Sequence, residues 1–161
     1  MGPIYLIGEK KEIIEKLIVL QKKNGGGVLL DLSHEFDYVR WIFGDYRIKY
    51  ASIKKISNLK IDSEDYADIL LITKKNINKN ISLNYFSRIN KRELFINGEG
   101  FSMLVDLINK KITKSVKNKI TTKLFKFDRN KSYSLQTRDL LNNKNTICKY
   151  SEAAKLMNSI D

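Results

Sequence analysis

The chain has 161 residues, with 30 basic and 18 acidic side chains and a formal net charge of +12. A hydrophobic content of 42% suffices for a folded core, and no apolar run approaches the ~20 residues of a membrane span. The single cysteine, Cys148, excludes an internal disulfide and cysteine-rich metal sites, so we expect a cytoplasmic protein.

The first two thirds of the chain alternate short apolar runs with helical patterns. Strands are predicted at residues 3–8, 28–32, 47–53, 67–73 and 93–96, and helices at 9–23, 34–43 and 83–89. Ser33 is predicted to cap the second helix and Gly44 to end it. The run at 67–73 is apolar throughout, which predicts burial on both faces. This alternation predicts a doubly wound, mostly parallel α/β sheet of the Rossmann type.

The last third is predicted to be a long helix followed by a basic extension. A helix is predicted from Phe101 because apolar residues recur every four positions, at Leu104, Ile108, Ile112, Val116 and Ile120. Residues 122–127 and 132–136 are predicted to form a hairpin about a turn at 128–131, and 152–160 a last helix. We therefore expect an α/β domain at residues 1–120 and a basic C-terminal helix–hairpin–helix extension at 121–161, packed on it.

Most of the positive charge lies in the last third of the chain. Residues 1–109 hold 17 basic and 14 acidic side chains, whereas residues 110–161 hold 13 and 4. A row of lysines on one helix face, followed by a hairpin that mixes lysines with aromatic rings, is typical of a surface that neutralises phosphates and stacks bases. The predicted contacts are Lys110, Lys114, Lys117, Lys123, Lys126, Arg129 and Lys131, with Phe125 and Tyr133 as stacking partners.

These features favour a non-enzymatic, nucleic-acid-associated protein whose partner is DNA, RNA or another polyanionic surface. The alternative is a protein-interaction module of a larger assembly. The order of the predicted strands resembles the core of chromosome-partitioning and related ATPases, and no Gly-Lys-Thr phosphate loop follows the first strand. That resemblance implies a nucleotide-binding-like fold that has lost ATP hydrolysis.

A second group of polar residues follows the predicted strands, where an open parallel sheet binds small ligands. This predicted small-ligand edge consists of Gly8, Asp31, Ser33, His34, Thr73, Asn97, Gly98 and Gly100. An enzyme would rest on Asp31, Ser33 and His34, with the histidine as a general base, although a surface or capping-turn histidine is the favoured interpretation. No cofactor is predicted, because the first strand is followed by neither a G-x-G-x-x-G nor a G-x-x-x-x-G-K run. No metal site is predicted either, because Ser33 stands where a second carboxylate would be needed beside Asp31 to hold Mg²⁺.

Overall fold

Every strand pair among the described residues is antiparallel. The computed structural model describes residues 21–142, 144 and 147–160. Within these ranges, a three-stranded sheet has the order β1 (Tyr46–Lys54), β2 (Tyr66–Thr73) and β3 (Asn78–Asn84). A four-stranded sheet has the order β4 (Glu93–Gly98), β5 (Phe101–Asp106), β6 (Lys111–Val116) and β7 (Lys119–Leu124). The prediction of a doubly wound parallel sheet is therefore wrong.

The lengths of the connections explain the antiparallel order. Two residues join β4 to β5 and β6 to β7, and four residues join β2 to β3 and β5 to β6. A parallel pair needs a crossover of about a dozen residues or more, so connections this short join only antiparallel neighbours.

The long helix predicted from Phe101 is wrong, because that stretch contains β5, β6 and β7. A spacing of four residues fits the 3.6-residue period of a helix, but it also keeps side chains on one face of a strand, whose period is two. Lys110 has φ of 53°, and Lys117 and Asn118 have φ of 45° and 62°. Two consecutive residues with positive φ form the hairpin turn that matches the twist of antiparallel strands.

The described helices are α1 (Val28–Asp31), α2 (Ser33–Phe43), α3 (Arg129–Leu141) and α4 (Tyr150–Ile160), preceded by a 3₁₀ turn at Lys22–Asn24. The strand predicted at 28–32 is wrong, because residues 28–31 form the helix α1. The helix predicted at 83–89 is wrong, because residues 83 and 84 belong to β3. The hairpin predicted after residue 122 is wrong beyond β7, since Asp128 caps α3 by accepting the N–H of Asn130.

Several predicted elements are confirmed. The strands at 47–53, 67–73 and 93–96 lie within β1, β2 and β4, and the last helix corresponds to α4. Helix α2 ends as predicted at Gly44, which has φ of 82° and donates its N–H to the carbonyl of Arg40. Leu32 rather than Ser33 occupies the N-cap position, and no side chain caps that end.

The core lies between α2 and one face of the first sheet. Phe36 and Val39 are fully buried and share a cluster with Ala67, Ile69 and Leu71 of β2. Residues of β2 alternate between buried and half-buried, so the prediction of burial on both faces is wrong. Ile81 and Leu83 of β3 and Leu156 of α4 belong to the same cluster.

Some predictions lie outside the described residues. They are the strand at 3–8 with Gly8, and the helix at 9–23 as far as residue 20. The division at residue 120 into a domain and an extension stays a prediction. Among the described residues, no helix is both long and apolar enough to cross a membrane.

Candidate active site

The junction between α1 and α2 meets the connection that joins β3 to β4. Asp31, the last residue of α1, is exposed. Tyr85, the first residue after β3, donates a hydrogen bond from its hydroxyl to Oδ2 of Asp31 over 3.3 Å. Burial and then the charge of Asp31 raise the pKa of Tyr85 above its ordinary value, so the phenol stays a neutral donor. The carboxylate of Asp31 is thus oriented by the protein while it remains open to solvent.

His34 and Glu35 lie in the first turn of α2 in different surroundings. The side chain of His34 is 51% exposed, whereas that of Glu35 is completely buried. Oε1 of Glu35 lies 3.0 Å from Nε2 of His34 and 2.7 Å from Nη2 of Arg92. Arg92 directly precedes β4, so both ends of the β3–β4 connection reach the junction. A buried carboxylate requires such cationic or hydrogen-bonding partners, because the protein interior solvates its charge poorly.

The start of α1 is closed by a second carboxylate. Gly27 has φ of 133°, a conformation open essentially to glycine alone, and a Cβ there would collide with the carboxylate of Glu64. Oε1 of Glu64 accepts the N–H of Leu29 over 3.4 Å, and the carbonyl of Glu64 accepts the N–H of Val28 over 3.0 Å. The carboxylate of Glu64 therefore occupies the space beside Gly27, at the end of the glycine run that precedes α1.

The predicted small-ligand edge is divided among separate places in the structure. Asp31, Ser33 and His34 lie together at the α1–α2 junction. Thr73 ends β2 beside the β2–β3 turn, where its hydroxyl accepts the N–H of Ile77 over 3.2 Å. Tyr85 follows β3 at the end of the hairpin opposite the turn. The seven residues of β3, roughly 20 Å, therefore separate Thr73 from the α1–α2 junction.

The other members of the predicted edge belong to the β4–β5 hairpin. Oδ1 of Asn97 accepts the hydroxyl of Ser102 over 2.7 Å. A Cβ on Gly98 would collide with the ring of Phe101, and Gly100 has the φ of 75° that the turn requires. These residues have evident roles in shaping the hairpin, and their part in ligand binding stays a prediction.

The predicted lysine row does not form on a helix. Lys114 and Lys123 project from the same face of β6 and β7, whereas Lys110 and Lys117 lie in the turns before and after β6. Three lysines of this predicted set lie over aromatic rings: Lys110 at 4.7 Å from Phe127, Lys114 at 5.8 Å from Phe101 and Lys123 at 5.0 Å from Phe125. These cation–π contacts use aromatic faces that stacked bases would need.

The remaining residues of the predicted nucleic-acid-binding surface lie on α3 or directly before it. Lys126 is exposed between β7 and α3, and Lys131 and Tyr133 are exposed on α3. Arg129 is the first residue of α3, and its side chain lies outside the described part.

Comparison with known proteins relates the chain to oxidoreductases. The family model for the GFO/IDH/MocA C-terminal domain matches residues 15–103. The fold is similar to that of an oxidoreductase from Agrobacterium radiobacter in complex with NAD+, L-tartaric acid and magnesium, with 18% identity, a TM-score of 0.61 and coverage of 75% of this chain and 36% of the other.

Two further solved structures are similar. UDP-N-acetylglucosamine 3-dehydrogenase from Acidithiobacillus ferrooxidans has 16% identity and a TM-score of 0.64, with 87% of this chain and 42% of the enzyme covered. A 3-ketoreductase from Actinomadura kijaniata, in complex with NADP and TDP-benzene, has 12% identity and a TM-score of 0.66, with 87% and 44% covered. The chain thus spans less than half the length of each of these three proteins. No curated protein matches it in sequence.

These similarities overturn the predicted function. The matching family and the similar structures are oxidoreductase ones, so the prediction of a non-enzymatic, DNA- or RNA-binding protein is wrong. The alternative is wrong too, because the family is an oxidoreductase one and the antiparallel sheets are not the nucleotide-binding-like α/β fold on which it was built. A protein partner in a larger assembly stays a prediction.

Sequence reasoning missed three residues of the junction: Glu35, Tyr85 and Arg92. Glu35 resembles a solvent-facing helix residue, since it stands between His34 and an apolar position. Tyr85 and Arg92 are about 50 residues or more away in sequence, and no local pattern links them to α2. Only the path of the β3–β4 connection brings them to the junction.

Proposed function

Because the chain belongs to the GFO/IDH/MocA C-terminal domain family, we propose that it is the substrate-side part of an oxidoreductase. Its substrate would be a sugar or hydroxy acid that is oxidised at a hydroxyl or reduced at the corresponding carbonyl. The similar solved structures support this class, since they include a 3-dehydrogenase, a 3-ketoreductase and a complex with L-tartaric acid.

The observation that carries the proposal is the half-exposed His34 beside the buried Glu35. Oxidation of an alcohol to a carbonyl removes the hydroxyl proton and a hydride from the same carbon, and reduction returns both. A nicotinamide dinucleotide, as in the similar structures, would accept or supply the hydride. The half-exposed imidazole of His34 can accept the hydroxyl proton as a general base. In the reverse direction the imidazolium donates it.

Asp31 supplies a second contact for a polyhydroxylated substrate. Its exposed carboxylate, already oriented by Tyr85, can accept a hydrogen bond from another hydroxyl of the same molecule. Two fixed polar groups three residues apart would orient the substrate at the junction.

The described residues do not fit the phosphates of a dinucleotide at the glycine run before α1. Such phosphates bind to open backbone N–H groups at a helix start, and here the carboxylate of Glu64 fills that space. Like charges would also repel there. We therefore assign to this chain the binding of the substrate and the handling of its proton, and no step of dinucleotide chemistry.

The proposal is tested by NMR titration of the chain, because His34 is its only histidine and its ring signals need no assignment. The probes are UDP-N-acetylglucosamine and L-tartrate. We expect a saturable shift of the His34 ring with at least one of them, and a roughly tenfold weaker affinity in Asp31→Asn, which loses one charged hydrogen bond.

Glu99→Gln is the matched control, since it makes the same kind of charge change in the exposed β4–β5 turn and should leave the affinity unchanged. The proposal fails if no probe moves the ring signals, or if the two variants weaken binding equally.

A further inference from the structure

A cavity of about 220 Å³ lies between α2 and the start of α4. Side chains of α2 form one wall, and Glu152 together with the residues just before α4 forms the other. The lining includes Asp37, Arg40, Trp41, Cys148 and Glu152. Charged and aromatic side chains thus converge on one space, as they do in most sites for small molecules.

Arg40 holds the polar wall of this cavity in place. Its Nη2 donates to Oδ1 of Asp37 over 3.3 Å, and its Nη1 lies 3.6 Å from Oε1 of Glu152, so one guanidinium links α2 to α4. The side chain of Arg40 is 18% exposed, whereas those of Asp37 and Glu152 are 36% and 43% exposed. The two carboxylates are therefore fixed by the protein and still open to a ligand.

The named lining residues carry one more negative charge than positive. The carboxylates of Asp37 and Glu152 share the single guanidinium of Arg40. Burial and then the charge of Asp37 raise the pKa of the Cys148 thiol, so the thiol adds no charge at neutral pH. Such a lining repels phosphate groups, whereas its exposed carboxylate oxygens accept hydrogen bonds from the hydroxyl groups of an uncharged ligand.

Trp41 adds a wide apolar surface that the fold leaves uncovered, since this residue is 73% exposed. A ligand that covers the indole removes apolar area from water. A sugar ring has C–H groups on its face and hydroxyl groups at its rim. It can therefore cover the indole while its hydroxyls donate to Asp37 and Glu152.

His34 and Trp41 lie on the same face of α2. They are seven residues apart, which is two turns of the helix and a rise of about 10 Å. A single sugar ring that contacts His34 therefore does not extend to Trp41, whereas a second ring linked to it can.

We propose that the cavity beside Trp41 binds an uncharged sugar ring. In combination with the proposed function, on which this step rests, the cavity receives the second ring of a disaccharide or longer glycoside whose first ring reacts at His34. A nucleotide sugar is disfavoured in the cavity, because its phosphates meet the carboxylates of Asp37 and Glu152.

The test uses two natural reporters, since Trp41 is the only tryptophan of the chain and His34 its only histidine. The probes are cellobiose and maltose, with UDP-N-acetylglucosamine as the charged comparison. In an NMR titration of the chain we expect at least one disaccharide to shift the indole N–H signal of Trp41 saturably, and UDP-N-acetylglucosamine to leave that signal unchanged.

The informative variant is Trp41→Ala, which removes the apolar wall from an exposed position and so should keep the fold, as checked by circular dichroism. We expect the disaccharide to bind it roughly fivefold more weakly in a calorimetric titration, the loss typical of one aromatic contact. Tyr50→Ala is the matched control, because Tyr50 is an aromatic residue of β1 that is 61% exposed and lies outside the cavity lining.

Three results overturn the inference: an indole signal that neither disaccharide moves, an equal response to UDP-N-acetylglucosamine, or equal weakening in the two variants. The two proposals also fail separately. If a disaccharide shifts the indole of Trp41 but nothing shifts the ring of His34, the proposed function falls and the sugar-binding cavity stands. If probes shift the ring of His34 but no disaccharide shifts the indole, the cavity falls and the proposed function stands.

Discussion

At the scale of single residues, buried carboxylates connect segments of this chain through hydrogen bonds and ion pairs, and Asp65 is the clearest example. It has no exposed side-chain surface and accepts the N–H groups of Ile56 and Ser57 at 2.8 and 3.0 Å. Its Oδ2 lies 2.9 Å from Nζ of Lys55. The carboxylate thereby fixes the start of the connection from β1 to β2.

Asp65→Asn should make the stability of the chain less dependent on pH. Burial alone would raise the pKa of Asp65, but the hydrogen bonds from Ser57 and Ile56, together with Lys55, lower it below its ordinary value. A lowered folded-state pKa gives stability that is present above the unfolded pKa of about 3.9 and is lost as the pH falls through the folded value.

We expect Asp65→Asn to cost about 2 kcal/mol of unfolding free energy at pH 7, and this difference to shrink below pH ~4. Urea denaturation of both proteins between pH 2.5 and 7 measures it. A difference that stays constant over that range would show that the charge of Asp65 does not contribute.

At the scale of elements, α3 differs from the other helices because it lacks a buried face. All of its described side chains are exposed except that of Asp139, which is half-buried. Its N-terminus is capped by Asp128, whose Oδ1 accepts the N–H of Asn130 over 3.0 Å. With little burial to stabilise it, the helix depends more than α2 on such local bonds.

Asp128→Ala should therefore loosen α3 alone. Loss of an N-cap typically costs ~1 kcal/mol, which corresponds to roughly fivefold faster amide exchange throughout the helix. Hydrogen exchange measured by NMR tests this. Asp106→Ala is the matched control, because Asp106 accepts the N–H of Asn109 in the β5–β6 turn and should affect only that turn.

At the scale of the whole molecule, stability depends on the cluster between α2 and the first sheet. Leu71 is completely buried there, whereas Ile120 on the outer strand β7 is 70% exposed. Both are large aliphatic residues within strands, so a difference between the effects of their substitutions reflects burial and not the type of side chain.

Leu71→Ala should cost about 3 kcal/mol of unfolding free energy, because it leaves a cavity in close-packed surroundings. Ile120→Ala should cost less than ~0.5 kcal/mol. Urea titration followed by circular dichroism measures both. Equal losses would contradict the assignment of the core to the first sheet.

The sequence by itself determined the features that local chemistry decides. The strands at 47–53, 67–73 and 93–96, the helix that Gly44 ends and the last helix all follow from nearby apolar spacing and turn residues. Asp31, Ser33 and His34 were also recognisable as a polar group after an apolar run.

Only the tertiary structure decided the sheet direction and the surroundings of His34. Apolar residues four apart fit a helix and a strand equally. The chain forms strands here because it turns at Lys110 and Lys117, which have positive φ angles that lysine rarely adopts. Glu35 is buried because Arg92, from a distant part of the chain, compensates its charge. Contacts between distant segments leave no periodic trace in a sequence, so the pairing of Glu35 with His34 and Arg92 could be found only after folding had brought them together.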